Sequence, residues 1–512
     1  MMSEVPMHFS AAPPSGPRRW ATVISDALFV VGLVVTAVVM AWDRVPHFTT
    51  AAPYVSLVPS SGMAPLVLLL LPRPIVMAWD RLRKKGGAWP EPGLAVAFGL
   101  LAVATAVATL TAYNSRVGVV AGLVFCFAFG RGWLLAQYVR VRELKLFENV
   151  VLWVLAGMIA LGYFQFIGDV YGLSQSWTQL LPQYNSVTGA YPFPRIQSFA
   201  LEPLYLGHWL FLPIGILLTR YWRTRKASVF EQVLLVLAFG LFLLTLSRGA
   251  ILGLGLAIFA LLVAGRSWRP LLYLARNGVL AILVVAGMLL LATTAQSKPD
   301  STGTAGALNP AQSASASPAP APTKPGVVGA FTEHATDIND ASAQTRYDLW
   351  PKAIHVFRDH PLTGVGPNNL RLLLSGGSND ISLAEANRLG QVNNDYIAFL
   401  SEFGLVGVLL SLPLLWLVLR AIWAAARARL DHPSSPYAFA LVGMAFEANA
   451  FQSMSLLRTW VVVGLLIAGA RLTRERPASA GTSDALAETM VLNPALADTA
   501  VLDRGSVGSK TA

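Results

Sequence analysis

The sequence predicts an all-α, polytopic membrane protein, and three observations carry that class. Hydrophobic residues make up 54% of the 512-residue chain and charged residues only 13%, about half the ~25% of a soluble domain. Mean hydropathy is +0.55, more apolar character than a water-soluble core can hide. Several runs approach roughly 20 residues with few or no charges, long enough to cross a hydrocarbon layer ~30 Å thick as helices. A soluble enzyme, a secreted disulfide scaffold and a disordered chain are excluded. The single cysteine, Cys126, lies in an apolar run, so there is no intrachain disulfide and no Cys-based metal site.

Twelve apolar segments follow in order, at roughly 23–43, 52–72, 93–112, 117–139, 149–167, 204–221, 230–246, 249–265, 275–294, 395–419, 437–452 and 457–471. The first is no cleaved signal peptide, because it follows a mostly polar stretch and lacks a small-residue cleavage site. The net charge of +11, from 38 Lys+Arg against 27 Asp+Glu, does not imply a nucleic-acid partner, because in a membrane chain its placement matters more than its sum. Arg18 and Arg19 precede the first span. Basic clusters then follow every even-numbered span: Arg81, Arg83, Lys84 and Lys85; Arg140, Arg142 and Lys145; Arg220, Arg223, Arg225 and Lys226; Arg266 and Arg269; Arg420, Arg427 and Arg429; Arg471, Arg474 and Arg476. The short alternate loops hold single arginines, such as Arg44 and Arg116. This asymmetry predicts cytoplasmic termini and outward alternate loops.

The expected organisation is therefore a cytoplasmic segment 1–22, nine spans within 23–294 with an outward loop at about 168–203, and a large outward loop 295–394 between the ninth and tenth spans. Three last spans at 395–472 and a disordered cytoplasmic tail 473–512 complete it. Within the large loop, the Ala/Pro/Ser-rich stretch 303–325 reads as a flexible tether. No solenoid repeat or transporter-like inverted repeat is visible.

Four places gather polar groups where outward loops meet the membrane. Arg195 lies in PRIQSFALEP, seven residues before Glu202. Arg248 sits in a tight outward turn, Ser247-Arg248-Gly249, where a charge at the bilayer edge should face protein or a polar ligand rather than lipid. The segment Arg346 to Asn369 carries His360 just before a proline-led turn. Its GVGPNN has neither a preceding strand nor a nucleotide fingerprint, so it is a weak phosphate-loop candidate. Last, Asn393-Asn394-Asp395-Tyr396 opens the tenth span with Glu402 beyond. Asp395 and Glu402 are seven apart and so share one helical face. Asp26, Arg131 and Glu447 are charges inside spans, either functional or paired with neighbouring helices. The seven histidines are scattered without His-x-x-x-His spacing, so no metal site is expected, and no G-x-S-x-G elbow appears.

Together SRGAILGLGLAIF (247–259), Arg346-x-x-x-Trp350, DHPLTGVGPNNL (359–370) and NDYIAFLSEFGLVGVLL (394–410) resemble the O-antigen ligase and Wzy-type O-antigen polymerase superfamily. They come in that family's order, around a large outward loop late in the chain. The resemblance implies a GT-C-like, cofactor-free and metal-independent glycosyltransferase of the bacterial inner membrane, active on the periplasmic side. It implies an undecaprenyl-pyrophosphate-linked donor, a glycan or lipid A–core acceptor, surrounding membrane lipids and polysaccharide-assembly partner proteins. Arg195, Arg248 and Arg346 are the candidates for binding pyrophosphate, and Asn393, Asn394 and Tyr396 for contacting substrate. The general base is expected among Glu202, Asp395, Glu402 and His360, with Glu202 first because it shares a loop with Arg195. Ligases of the family carry a histidine where this chain has Asn393, and an amide cannot take a proton. That departure favours a polymerase of exopolysaccharide or O-antigen repeat units over a ligase. A lipid-linked glycan transporter is the third reading.

Overall fold

The computed structural model describes residues 17–42, 61–84, 91–186, 192–267, 269–296, 327–336, 341–374, 392–454 and 456–474. The stretch 303–325 and most of the tail expected at 473–512 lie outside the described residues. Among those described, all regular structure is helical. The helices are α1 (Pro17–Val39), α2 (Pro72–Lys84), α3 (Pro92–Leu110), α4 (Ser115–Tyr138), α5 (Val141–Val170), α6 (Gln175–Thr178), α7 (Pro203–Thr224) and α8 (Val229–Leu244). Then come α9 (Arg248–Gly265), α10 (Arg269–Gln296), α11 (Val327–Thr336), α12 (Ala341–Asp359), α13 (Asn369–Leu374), α14 (Asp395–Arg427), α15 (Ser435–Glu447) and α16 (Leu457–Arg474). Local signals set several boundaries. Asn114 caps α4, and Ser228 with Glu231 forms a reciprocal capping box on α8.

Seven of these helices are long and apolar enough to cross a membrane: α1, α3, α4, α5, α9, α10 and α14. Helix α8 is apolar but has only 16 residues. Helices α7 and α16 fall short for a different reason. Both are enclosed by other helices over nearly their whole length, so they face protein rather than lipid. A helix in that position can carry His208, Arg220, Arg458 and Arg471, because only a lipid-facing surface must be apolar throughout.

The bundle closes around these enclosed helices. Helix α16 crosses α4 with backbones in contact: a Cβ at Gly132 would lie 2.6 Å from the Trp460 carbonyl, and one at Gly464 would collide with the Gly132 backbone. Helix α15 packs on α7 and α9. The span charges Asp26 and Glu447 find partners. Asp26 takes Arg73 and Arg140, each at 2.7 Å, and Glu447 meets His208 at 2.6 Å with both side chains fully buried.

Helix α14 breaks at Gly404, which has φ 61° and ψ −169°. The break is mended from outside the helix. The N–H groups of Leu405 and Val406 donate to the carbonyls of Pro361 and Leu362 at 2.9 and 3.0 Å. The Ser401 and Glu402 carbonyls accept the N–H groups of Val365 and Gly366 at 3.0 and 2.9 Å. Irregular backbone at membrane depth survives only where protein satisfies it. Gly364 and Gly404 both have left-handed φ, and a Cβ on either would strike the opposite backbone. The HPLTGVG and SEFG sequences are therefore the two halves of one structural unit.

Candidate active site

The four polar places noted in the sequence gather at one end of the bundle. In the loop before α7, Arg195 donates its backbone N–H to Tyr184 O at 2.9 Å, and Ile196 donates to Leu244 O at 3.3 Å. Ser198, in left-handed conformation, is locked onto α5: its N–H reaches Gln165 Oε1 at 2.7 Å and its hydroxyl Met158 O at 2.8 Å. The loop is thus held against the turn between α8 and α9. Arg195 Nε and Nη2 both donate to Thr245 O, at 3.3 and 3.2 Å, three residues before Arg248, the first residue of α9. The Tyr184 ring centre lies 5.7 Å from the guanidinium carbon.

Glu202 precedes α7 and shares a hydrogen bond with the Tyr184 hydroxyl. Burial pushes its carboxyl above the ordinary range, while the Arg195 charge and the Tyr184 hydroxyl pull it back down. Burial likewise raises the Tyr184 phenol.

Beside this cluster is a cavity of about 90 Å³ lined by Tyr205, Asn368, Arg371, Asn393, Asp395 and Glu402 among others. Tyr205, one turn along α7 from Glu202, joins the two places. Asp395 and Glu402 both line this cavity, but each carboxylate already serves the protein backbone. Asp395 accepts from Ser453 N–H at 2.8 Å, Ser453 Oγ at 2.6 Å and Met454 N–H at 3.2 Å. Glu402 accepts from the N–H groups of Asn368 and Leu370.

Asn394 caps α14 through Ile397 N–H at 3.0 Å and donates to Asn449 O at 3.3 Å. The Tyr396 hydroxyl donates to Ala445 O at 2.6 Å. Asn393, with φ 46°, faces the cavity. Arg346 is half-buried on α12, one turn before Trp350, whose indole N–H donates to Val392 O at 3.0 Å. That turn of α12 therefore borders the stretch leading into Asn393. His360 is exposed and outside the cavity lining. Its carbonyl accepts Gly364 N–H at 3.1 Å, so it closes the turn after α12.

Three polar residues of this region were not singled out in the sequence. Arg371 is buried against Tyr205 and Glu402; burial lowers its pKa and both neighbours oppose that. It directly follows the DHPLTGVGPNNL motif, which was the available signal. His208 and Arg458 surround Glu447, with the Arg458 guanidinium carbon 5.4 Å from the Tyr205 ring centre. Nothing in their local sequence marks them, because they come from two helices 250 residues apart.

The arrangement can bind an anion beside a carboxyl group. Glu202 keeps more accepting capacity than Asp395 or Glu402, whose oxygens are engaged by backbone donors. Residues 233–412 match the family model Wzy_C, described as O-antigen ligase. This match supports the O-antigen ligase and polymerase superfamily resemblance read from the sequence. It includes Arg248, Arg346, His360, Asn393, Asn394, Asp395, Tyr396 and Glu402, and leaves Arg195 and Glu202 outside. No curated protein matches the chain.

Proposed function

We propose, with that superfamily as the premise, that the chain is a polymerase: it joins undecaprenyl-pyrophosphate-linked repeat units of an exopolysaccharide or O-antigen. The observation that carries this reading is the Arg195 guanidinium seated on the turn that leads into Arg248, with Glu202 beside it. In the reaction, an acceptor hydroxyl attacks the anomeric carbon of the carrier-linked glycan. The bond from that carbon to the pyrophosphate oxygen breaks, and the carrier pyrophosphate leaves with the electron pair. Guanidinium groups bind phosphate oxygens in bidentate fashion. Arg195 and Arg248, with Arg346 as a third contributor, stabilise the negative charge that grows on the leaving group.

The acceptor's proton passes to Glu202, the general base. Asn393, Asn394 and Tyr396 shape the adjoining sugar subsite. The chain crosses the inner membrane twelve times in this reading, with both termini cytoplasmic and the site periplasmic, as the basic residues after every even-numbered span imply. Asn393, in place of a titratable histidine, supports polymerase over ligase. The family description favours the second reading, an O-antigen ligase that transfers the glycan to lipid A–core.

The test is the glycan length on undecaprenyl pyrophosphate in a deletion strain, read by mass spectrometry and gel. A polymerase predicts single repeat units accumulating on the carrier. Long polymer retained on the carrier beside bare lipid A–core identifies a ligase. Unchanged pools contradict the glycosyltransferase reading.

A further inference from the structure

A groove of about 620 Å³ lies at the opposite end of the bundle, bordered by the first halves of α8 and α10. The two helices run side by side in the same direction: Arg276 Nη2 donates to Gln232 Oε1 at 2.8 Å, and eight residues further along each helix a Cβ at Gly240 would lie 3.7 Å from Val284. The polar lining, Gln232, Arg276 and Asn277, is confined to one end of the groove, and Val236, Leu280 and Leu283 continue it as an aliphatic wall. The far end of α8 carries Thr245, on which Arg195 rests, so the polar end of the groove faces away from the candidate active site.

Asn277 is fully buried, and its Nδ2 donates to Tyr273 O at 2.6 Å. A carbonyl can only accept, so this bond fixes which way the amide points. Its Oδ1 then faces elsewhere and has no hydrogen-bond partner among the described residues. A buried acceptor left in that state calls for a donor beyond the described residues. Beside it, the exposed Arg276 guanidinium is steadied by Gln232 and by the Tyr273 ring, 5.4 Å away. Tyr273 in turn stacks on Tyr221 at 3.6 Å.

We propose that this groove holds one glycerophospholipid whose headgroup carries a hydrogen-bond donor beyond its phosphate, as phosphatidylethanolamine does. The phosphate meets Arg276, the ammonium donates to Asn277 Oδ1, and an acyl chain runs along Val236, Leu280 and Leu283. Arg220, Arg225 and Arg266 lie at the helix ends on this side, which assigns the lipid to the cytoplasmic leaflet under the positive-inside rule. The site does not depend on which glycan reaction the chain performs.

The test uses the full chain, delipidated in detergent and titrated with dioleoyl-phosphatidylethanolamine or dioleoyl-phosphatidylcholine, with bound lipid counted by native mass spectrometry. The two lipids share phosphate and tails, but the choline headgroup has no N–H. The wild-type chain should retain one phosphatidylethanolamine about fivefold more tightly than phosphatidylcholine, the worth of one hydrogen bond. Asn277→Leu should bring the two lipids level, Arg276→Gln should weaken both, and Leu283→Trp should block both by filling the groove. Arg276 is exposed, so its variant keeps the test alive if a buried substitution fails to fold. Equal wild-type affinity for the two lipids, a preference that survives Asn277→Leu, or an isoprenyl pyrophosphate in the groove would each overturn the proposal.

Discussion

Arg73 and Arg195 stand at opposite ends of the bundle, and the chain treats them differently. Arg73 is buried and matched by carboxylates: Nε meets Asp26 at 2.7 Å, Nη1 and Nη2 meet Glu143 at 2.8 and 2.5 Å, and Nη1 also reaches Tyr138 O at 3.1 Å. Arg140 completes the cluster on Asp26, so two cations face two carboxylates. Arg195 instead rests on the Thr245 carbonyl and beside the Tyr184 ring, next to Glu202, whose carboxyl burial pushes up and the Arg195 charge pulls back down. A guanidinium neutralised by fixed carboxylates ties helices together and has no charge left for a ligand. Arg195 sits beside the candidate active site, where the proposed reaction brings it a pyrophosphate to bind.

Substitution at the two ends should separate these roles. The largest expected effect is on catalysis: Glu202→Gln should lower transfer by about 10²–10⁴-fold, the contribution of a general base. Arg248→Ala should cost about 10²–10³-fold, as losing one charge-stabilising donor does. Both proteins should reach the membrane at wild-type levels on an immunoblot. Wild-type transfer by the Arg248 variant would instead make that arginine a membrane-edge anchor.

Arg73→Ala should show the converse. Removing one partner of a buried pair costs about 3–5 kcal/mol, so a thermal melt should fall and the yield with it, while turnover per folded molecule stays unchanged. A specific loss of turnover in this variant would erase the distinction between the two arginines.

Gly404→Ala should cost about 1–3 kcal/mol of stability, the strain of a left-handed φ on a non-glycine residue, with the collision against Leu362 added. Limited proteolysis across 360–366 would report the loosened loop, and unchanged resistance would count against the mended-helix description.

The smallest effect is a pH shift. The proposed base Glu202 can take a proton only when deprotonated, so activity should fall as pH drops through its raised pKa. The Tyr184 hydroxyl favours the charged form. Tyr184→Phe should therefore move the acid limb of the pH–rate profile to higher pH, with only a few-fold loss at the optimum. A limb that stays in place would mean that Glu202 is not the titrating base.

Much of the fold was legible because lipid imposes a one-dimensional code. The helices that face lipid, such as α10 and α14, carry long apolar runs that mark them. The code weakens where a helix is enclosed by others, as α7 and α16 are, because protein contact tolerates His208 and Arg458. Asp395 and Glu402 were placed on one face by helical periodicity alone, and both line the cavity. Their partners were out of reach: Asp395 is held by Ser453, 58 residues downstream, and such pairings depend on how helices cross. The breaking role of Gly404 was hidden for the same reason, since the backbone that mends the break comes from the turn after α12. Arg195 and Glu202 were readable as a pair because they share the loop before α7, and their common partner Tyr184 lies in it too.

In the proposed reaction, Arg195 holds the departing pyrophosphate through its two-pronged geometry. The most direct test is the rate of glycan transfer from a purified carrier-linked donor by Arg195→Lys, compared with wild type and Arg195→Ala at equal amounts of folded protein. Lysine keeps the charge and loses the fork. The lysine variant should stay close to the alanine variant, far below wild type. Transfer restored by lysine to near the wild-type rate would contradict the role of the fork.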